Sequence, residues 1–561
     1  MAVAEARRVT GRHPLLSGPG VAAELLLAPA HAAAVAAALP GAFAALWPAC
    51  GLGPGVPVVR AHAAGLSVAL PAPVDMLDPA VDALEAVLGQ VLGGPPVEVA
   101  AHRAAAAGAA RPALRLALAA AAAAGLPAFV DDDGLTVGAG RGARTVALDA
   151  LPADGAVPDG ASAVPFVFIT GTNGKTTSAR MVAAIAAAAG RTAGLTSSDG
   201  VVIGGEWVER GDWTGPGAAR QVLRAAAVDF AVLETARGGL MRRGLVVDGA
   251  DAALVTNISD DHLGEWGLDT LADMAWAKLT VAHGLRPGGV LVVSGADAAL
   301  AAALPAVQAA RPDLRVWRFV DGPRGAPGAV EAWVAPGPGG APWLWTGLPG
   351  EGDVALLAVG DVPATLGGLV RTMVQNALGA ALLARAAGVS AAAARAGLAG
   401  FVPDLARSRG RLNRFGLPNG ATAVLDFAHN PAGIAGLGPL CAAARPGRVV
   451  VLAGQAGDRP DALLDAYAAA VAGLAPDRVI LKELPHYRRG RAPGEVRARL
   501  RAALVGNGVA GAGIDEVEDE AGAVAAALAG AGPGDLLLLL VHEDVDAALA
   551  CLAAVGARPL G

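Results

Sequence analysis

From Phe166 to Val182 the chain reads FVFITGTNGKTTSARMV. A short apolar run enters a polar turn with two glycines, and a helix-like stretch follows. Strand, glycine turn and helix in that order are the context of a phosphate-binding loop. Backbone N–H groups at the turn face the anion, and the helix N-terminus adds a favourable dipole. In this reading Gly171 and Gly174 let the backbone turn, Lys175 reaches the β- and γ-phosphates, and Thr176 holds Mg²⁺. The usual spacing is G-x-x-x-x-G-K-[ST]. Ile169 occupies the first glycine position here, which leaves the shorter form G-x-x-G-K-T. The plainer alternative is a glycine turn with a chance lysine.

The lysine is worth weighing, because the chain has only three (Lys175, Lys278 and Lys482) against forty arginines. The abundance of Ala, Gly, Arg and Pro reads as a GC-rich coding bias, which replaces Lys by Arg wherever only positive charge is needed. The lysines that persist are candidates for chemistry that needs a compact amine, since the two side chains are not interchangeable.

Outward from the loop, short buried strands alternate with helical stretches: PFVFIT, DFAVLET, DAALVTN and GGVLVVS, with helices over Thr176–Ala189 and Thr270–His283. That alternation predicts a parallel sheet with crossover helices. Glu234 ends one of these strands, where a carboxylate is costly unless something binds it; it is either a solvated strand-end residue or a Mg²⁺ ligand. His262 lies just beyond another strand end, at the edge where such sheets bind ligands. Alone it reads as a loop residue; beside Glu234 and the phosphate loop it becomes a metal-ligand candidate. Lys278, in DMAWAKLTVAHG, is either a surface helix lysine or the site of a carbamate. A free amine near two Mg²⁺ ions would be repelled, whereas the carbamate formed with CO₂ is an anion that ligates metal.

The Gly/Pro-rich region from Asp321 to Gly352 predicts hairpins, and TMVQNALGAALLARAAG a helix ended by Gly388. After about Pro403 a second series, ATAVLDF, GRVVVLAG, DRVILKE and GDLLLLLV, predicts a smaller doubly wound domain. Before Phe166 the chain is Ala-rich and reads mostly as helix with some strand. GLTVGAGRGARTVALDAL suggests paired strands around a glycine turn, and PADGAVPDGASAVP a linker. The expected organisation is α/β, with an Ala-rich α+β N-terminal domain over 1–160, a central P-loop ATPase domain over 161–403 and a C-terminal Rossmann-like domain over 404–561.

Composition narrows the function classes. Net charge is −7 with no long basic run, so nucleic acid is not an expected partner. The longest apolar region, Val21 to Trp47, is broken by Glu24, Pro29, His31 and Pro40. It reads as packed helices and not as a membrane span. The N-terminal residues carry no signal-peptide pattern. Cys50, Cys441 and Cys551 are too far apart to suggest a disulfide framework or a metal cluster, which fits the cytoplasm. The oligomeric state is open, and a homo-oligomer is compatible with the sequence.

In order along the chain, TGTNGKTT, LETARGG, TNISDDHLG, AWAK, NALGAALLA, RGRLNRF and LDFAHNPAG resemble the Mur ligases. DGVVIGGEWVERGDWTGP, GQAGDRPDALL and LKELPHYRRGRAPGE are most similar to the Mur-type part of the cyanophycin synthetases. The resemblance runs from about Pro165 onward; before that only LSGPG is faintly similar. It implies ATP-dependent joining of an amine to a carboxylate through an acyl phosphate. It assigns Gly171, Thr172, Asn173, Gly174, Lys175, Thr176 and Thr177 to the ATP phosphates. Glu234 and His262 match ligands of two Mg²⁺ ions, and Lys278 the carbamylated lysine. Asn376 matches the residue facing adenine, Arg411 the arginine reaching the γ-phosphate, and Asp426 the aspartate near the ribose. His429, Asn430 and Pro431 form the loop near the reaction centre. Thr196, Ser197, Asp199, Thr214 and Pro216 lie where the acceptor would be held. Lys482 and Glu483 are candidates for placing the incoming amino acid, Glu483 by pairing with a cationic one; the alternative is a solvated basic loop.

Two departures accompany the resemblance. Gly295 and Ala298 replace polar residues of the family's L-N-A-D-D-P-like stretch. Cyanophycin synthetases also carry an ATP-grasp domain between their N-terminal and Mur parts, and the residues before the phosphate loop leave no room for it. Rival readings are a ligase acting on a peptidoglycan precursor or folate polyglutamate, and a non-catalytic ATP-binding subunit.

Overall fold

The computed structural model describes residues 2–261, 263–325, 330–445 and 447–560. Its largest sheet has eleven strands, with Phe166–Thr170 inside a parallel run. Phe230–Glu234 pairs with it on one side and Ala250–Val255 on the other, both parallel. The loops that follow these three neighbours therefore emerge side by side at their carboxyl ends. Period-two alternation sets the strand's packing. Val167 and Ile169 face a core with Met181, Val182 and Ile185, while Phe166 and Phe168 face the opposite core. Each of these fully buried side chains is worth ~1.5–3 kcal/mol. Antiparallel strands extend both edges, and the expected hairpin is present as Ala332–Pro336 with Pro342–Thr346.

The helix Arg371–Ala386 is almost wholly buried against this sheet, and the chain leaves it with Gly388 at φ +85°. A second sheet of seven strands follows. Five are parallel, including Val449–Ala453, Leu536–Leu540 and Thr422–Asp426, and Asn413–Gly416 and Arg558–Leu560 close one edge antiparallel. The two α/β series predicted from the alternating pattern are thus both present.

The N-terminal part differs from its expectation in one place. Val21 to Leu26 is not helix: Gly20–Leu26 is a strand in a four-stranded antiparallel sheet. It tolerates the buried Glu24 because Arg7 Nη2 lies 3.0 Å from that carboxylate and Ser67 donates to it at 2.7 Å. The helix begins at Pro29 and runs to Ala49. By length and composition it is apolar enough to cross a membrane. One stripe of it, with Val35, Leu39, Phe43 and Trp47, is packed into the N-terminal core, and the facing residues are mostly exposed alanines. Gly134–Val137 and Arg144–Val146 pair around a short glycine turn as read from the sequence.

This N-terminal sheet is docked on the central one. Arg12 pairs with Asp248 at 2.8 Å, and Arg60 donates to the Gly267 carbonyl (2.5 Å) and to Asp273 (2.6 Å). The buried His13 fits between two backbone groups. Its Nε2 is 3.0 Å from the Met241 carbonyl, and its Nδ1 accepts from the Leu15 N–H at 3.1 Å. Those partners require the neutral Nε2–H tautomer.

Candidate active site

The phosphate loop is built around two glycines that nothing else can replace. Gly171 has φ +140°, and a Cβ there would meet Thr256 Oγ1 at 1.9 Å. Gly174 has φ +82°, and a Cβ there would lie 2.2 Å from Asn376 Oδ1. Asn376, on the buried helix Arg371–Ala386, therefore sits directly against the loop. The helix Lys175–Ala188 starts immediately after Gly174. The Lys175 ammonium donates to the Thr172 carbonyl at 2.9 Å, a bond that an incoming phosphate would replace.

The loop is held from below by the neighbouring strand end. Asn257 accepts from the Asn173 N–H (2.9 Å) and donates to the Asn173 carbonyl (3.0 Å), and Thr256 Oγ1 donates to the same carbonyl at 2.6 Å. Ser259 N–H donates to Thr172 Oγ1 at 3.0 Å. Asn257 and Ser259 lie in the motif TNISDDHLG, and the sequence alone assigns them no task. Their signal was polar residues crowded at a strand end. Asp297, in the stretch where the family's polar residues are replaced, accepts from the Ile258 N–H at 2.6 Å and so steadies the same support.

A cleft of about 260 Å³ opens above this loop. It gathers Thr172, Asn173, Gly174, Lys175, Thr176 and Thr177 with Thr214, Glu234, Asn376, Arg411, Asp426 and His429. Most of the residues singled out from the sequence thus share one space, although they come from both sheets. Asn430 reaches the loop by a reciprocal amide pair. It donates to Asn173 Oδ1 (2.8 Å) and accepts from Asn173 Nδ2 (3.1 Å). Arg411 donates to Ser198 Oγ at 3.1 Å, and Ser198 lies 2.9 Å from Thr176 Oγ1. Ser198 was passed over in the sequence although it lines the cleft. Arg459 bridges to Asp261 at 3.2 Å, beside His429 at 3.5 Å from the same carboxylate.

The electrostatics follow from burial. Burial pushes the Glu234 carboxyl above its ordinary value, against the pull of Lys175, Thr176 and Arg411. Its Oε2 has no hydrogen-bond partner among the described residues. A buried carboxylate oxygen left unpaired beside a threonine hydroxyl is a hard-oxygen donor set that fits Mg²⁺. Among the described residues no cluster of three His, Cys, Asp or Glu forms a metal cage. Mg²⁺ suits that arrangement, since it commonly keeps waters and substrate phosphates as its other ligands. His262, the other expected ligand, lies outside the described residues. Lys278 is buried under the loop and donates to the Gly171 carbonyl at 2.8 Å, and burial holds its amine well below the ordinary lysine value. It is not the surface helix lysine that the sequence left open. Asp426 accepts from the Ala428 and Leu412 N–H groups at 2.8 and 2.9 Å while burial raises it.

The acceptor candidates are dispersed. Thr214 lines the cleft, and Pro216 lines a small hollow behind Glu234. Thr196 and Ser197 are buried on the strand Ala193–Ser197, with Ser197 donating to the Gly200 carbonyl at 3.1 Å. Asp199 is held by Arg180 at 2.5 Å and lies 3.8 Å from Arg411 Nε. Lys482 and Glu483 are not in the cleft. Lys482 is fully buried and forms an ion pair with Glu520. Glu483 is buried between Arg497 (2.8 Å) and Arg488 (3.2 Å). Both charges are used inside the C-terminal part, so neither is available to an amino acid here, and neither belongs to a solvated loop.

Residues 169–319 match the Mur ligase middle domain, and residues 410–540 match the Mur ligase glutamate ligase domain. The UDP-N-acetylmuramoyl-L-alanyl-D-glutamate–2,6-diaminopimelate ligase of Rhizobium meliloti (strain 1021) is 30% identical over 394 residues, covering 67% of this chain and 73% of that protein. This chain belongs to the Mur ligase family. The cyanophycin synthetase of Crocosphaera subtropica is 34% identical over 405 residues, which are 70% of this chain and 44% of that enzyme. The chain thus spans less than half the length of this relative. The Mycobacterium tuberculosis folylpolyglutamate synthase complexed with ADP superposes with a TM-score of 0.50 at 23% identity, over 71% of this chain and 91% of that one. That likeness is one of fold.

Proposed function

We propose that this Mur ligase acts in the cytoplasm as an ATP-dependent amide ligase, joining an amino-acid amine to an acceptor carboxylate with release of ADP and phosphate. The observation that carries the reading is the single cleft in which the phosphate loop and Glu234 of one sheet meet Arg411 and His429 of the other. The domain limits at about 160 and 403 belong to the same proposal. They set the cleft between two catalytic units and leave the N-terminal unit to acceptor binding or assembly.

In the proposed reaction an acceptor carboxylate oxygen attacks the γ-phosphorus, the bond to the bridging oxygen breaks, and ADP leaves. The amine nitrogen then attacks the acyl carbon of the acyl phosphate, inorganic phosphate leaves, and the ammonium proton is lost to solvent. The chain's own work is placement and charge. The loop N–H groups orient the phosphates, and Lys175 and Arg411 offset the charge on the transferring group from opposite sides. Asn376 packs against the loop and fixes the nucleotide's approach. Thr176, Glu234 and the carbamate of Lys278 would hold Mg²⁺, which when bound neutralises phosphate charge. A neutral buried amine is the form of lysine that adds to CO₂, and Lys278 has that environment. The contacts of Asn430, Arg411 and Arg459 across the cleft keep water from the acyl phosphate.

The relatives' names point to amino acids and acidic acceptors as substrates. A cyanophycin-type acceptor, an aspartate-rich peptide, is the favoured class, on the greater identity to the cyanophycin synthetase. The test is a phosphate-release screen of amino acids against aspartate-containing peptides, followed by mass measurement. The expected product is the acceptor plus one amino acid less water. A protein that binds ATP but releases no ADP with any pair would overturn the ligase reading and favour the non-catalytic one.

A further inference from the structure

A second cavity, of about 350 Å³, lies along the helix Lys175–Ala188, which contributes Arg180, Ala183, Ala184 and Ala187 to its wall. Arg180, Arg191 and Arg407 line it together with Trp207 and Phe401, and no acidic side chain lines it among the described residues. Arg210 stacks on Trp207, with its guanidinium 4.0 Å from the ring centroid, which adds a fourth positive group nearby. Arg180 is 6% exposed; its Nη2 is engaged by Asp199, and its Nη1 has no hydrogen-bond partner among the described residues. Guanidinium groups gathered on a part-apolar wall with no carboxylate among the lining residues favour an anion, which each can bind through paired N–H donors.

We propose that this cavity binds a second carboxylate of a polyacidic acceptor, and that its occupancy is communicated to Arg411. The proposal rests on the ligase reading and names the substrate class for it. Two connections support the link. Arg180 Nη2 holds Asp199 Oδ2 at 2.5 Å, and the same oxygen lies 3.8 Å from Arg411 Nε, so the cavity is two ion-pair steps from the cleft. Phe401 and Arg407 also lie on the segment that leads to Arg411. That segment is a tied unit: Asp404 accepts from the Arg407 N–H at 2.7 Å, and Asn413 donates to the carbonyls of Pro403 (2.8 Å) and Ser408 (3.1 Å). A ligand that draws Arg407 inward therefore moves the support of Arg411. Three forked cations in a part-apolar pocket match carboxylates on a chain with methylene spacers better than a compact, strongly hydrated ion.

The test uses the full chain and acceptor peptides with one, two or four aspartates. In the wild type KM should fall about tenfold or more as carboxylates are added, the worth of one charge-assisted pair. In Arg191→Gln that gain should disappear while kcat with the one-aspartate peptide stays within about twofold; Arg191→Lys, which keeps charge without the fork, should fall between. A folded Arg191→Gln protein that keeps the full length dependence overturns the proposal. A second readout does not need turnover. The chain is labelled with 5-fluorotryptophan, and the Trp207 resonance is assigned, among nine tryptophans, by its loss in Trp207→Phe. Tetra-aspartate should shift that resonance saturably, and inorganic phosphate at equal ionic strength should not. No shift with tetra-aspartate, or the same shift with phosphate, overturns the assignment. If no peptide supports turnover yet tetra-aspartate shifts Trp207, the acceptor-turnover reading fails and the carboxylate site stands.

Discussion

Lys482→Met should destabilise the C-terminal part and leave ligation nearly intact. Lys482 is 1% exposed, and its ammonium pairs with Glu520 and donates to the Leu540 carbonyl. Removing one partner of a buried pair leaves the other uncompensated, a loss of ~3–5 kcal/mol. Glu520 keeps three backbone donors, the N–H groups of His542 (2.7 Å), Glu543 (2.9 Å) and Asp544 (2.8 Å), so the lower end of that range is expected. Burial raises the Glu520 carboxyl, but Lys482 and those N–H groups outweigh it and hold it below the ordinary value. The double change Lys482→Met/Glu520→Gln removes the stranded charge and should cost less than Lys482→Met alone. The assay is urea denaturation of each variant, with steady-state kinetics well below the unfolding midpoint. KM for the amino acid should stay within about twofold, because no side chain of the cleft has been altered. An unchanged denaturation midpoint with a tenfold rise in that KM would refute the argument and return Lys482 to the substrate.

Lys175→Ala should abolish ATP-dependent ligation with the denaturation midpoint unchanged, since the side chain faces the cleft and not a core; near-normal ligation would remove the phosphate-loop assignment. Lys278→Ala should lose most activity, acetate should restore part of it by supplying an anion under the loop, and Lys278→Arg should stay inactive. His13 is held down to about 4 by burial against an unfolded value near 6.5. The unfolded chain therefore takes up this proton first as pH falls. Stability is full above 6.5 and declines until about pH 4, by at most ~3 kcal/mol. His13→Asn should flatten that window in thermal melts at pH 7 and 4.5; equal slopes in both proteins would sink the assignment. Asn430→Asp keeps an acceptor for the Gly433 N–H (2.9 Å) but loses donation to Asn173. It should raise KM for ATP about tenfold without loss of stability, and a wild-type KM would show that the amide pair does not guide the loop.

Much of the site was legible because local chemistry fixed it. Gly171, Gly174, Lys175 and Thr176 are contiguous, and the strand and helix that flank them follow from periodicity alone. Glu234 was singled out because a carboxylate at the end of the apolar run FAVLE is costly unless something binds it; the alternative was a solvated strand end, and the structure buries it. Asn257, Ser198 and Arg459 were missed because their roles exist only after folding: each is an ordinary polar residue whose partner lies far away in sequence. The misassignment of Lys482 has the same origin. Lysine rarity marked the position correctly as special, but the reason is packing. A Cβ on Gly454 would lie 2.6 Å from Lys482 Cγ and 3.1 Å from its Cε, so glycine there makes room for the buried lysine stem, whose ammonium meets Glu520. The strand over Gly20–Leu26 was hidden by Ala-rich composition, which favours helix locally and was overridden by the pairing of Arg7 with Glu24.

The contacts across the cleft differ in kind, and the difference bears on how it closes. The Asn173–Asn430 pair is neutral and reciprocal, so it carries little long-range attraction but accepts only one register, because each amide must both donate and accept. Arg411 and Arg459, by contrast, are forked cations on the C-terminal side facing Ser198, Asp199 and Asp261 on the central side. Charge of that kind attracts over several ångströms and tolerates error in angle. The cations therefore draw the two sides together, and the amide pair then sets the register at the phosphate loop itself. In the proposed reaction Arg411 is also the group that meets the transferring phosphate. Its partners in this structure are a hydroxyl and an aspartate it shares with Arg180, both weaker than a phosphate oxygen. Substrate binding can then exchange those partners without releasing Arg459 or Asn430. The closure that orders the loop is thus separable from the charge that acts on the substrate.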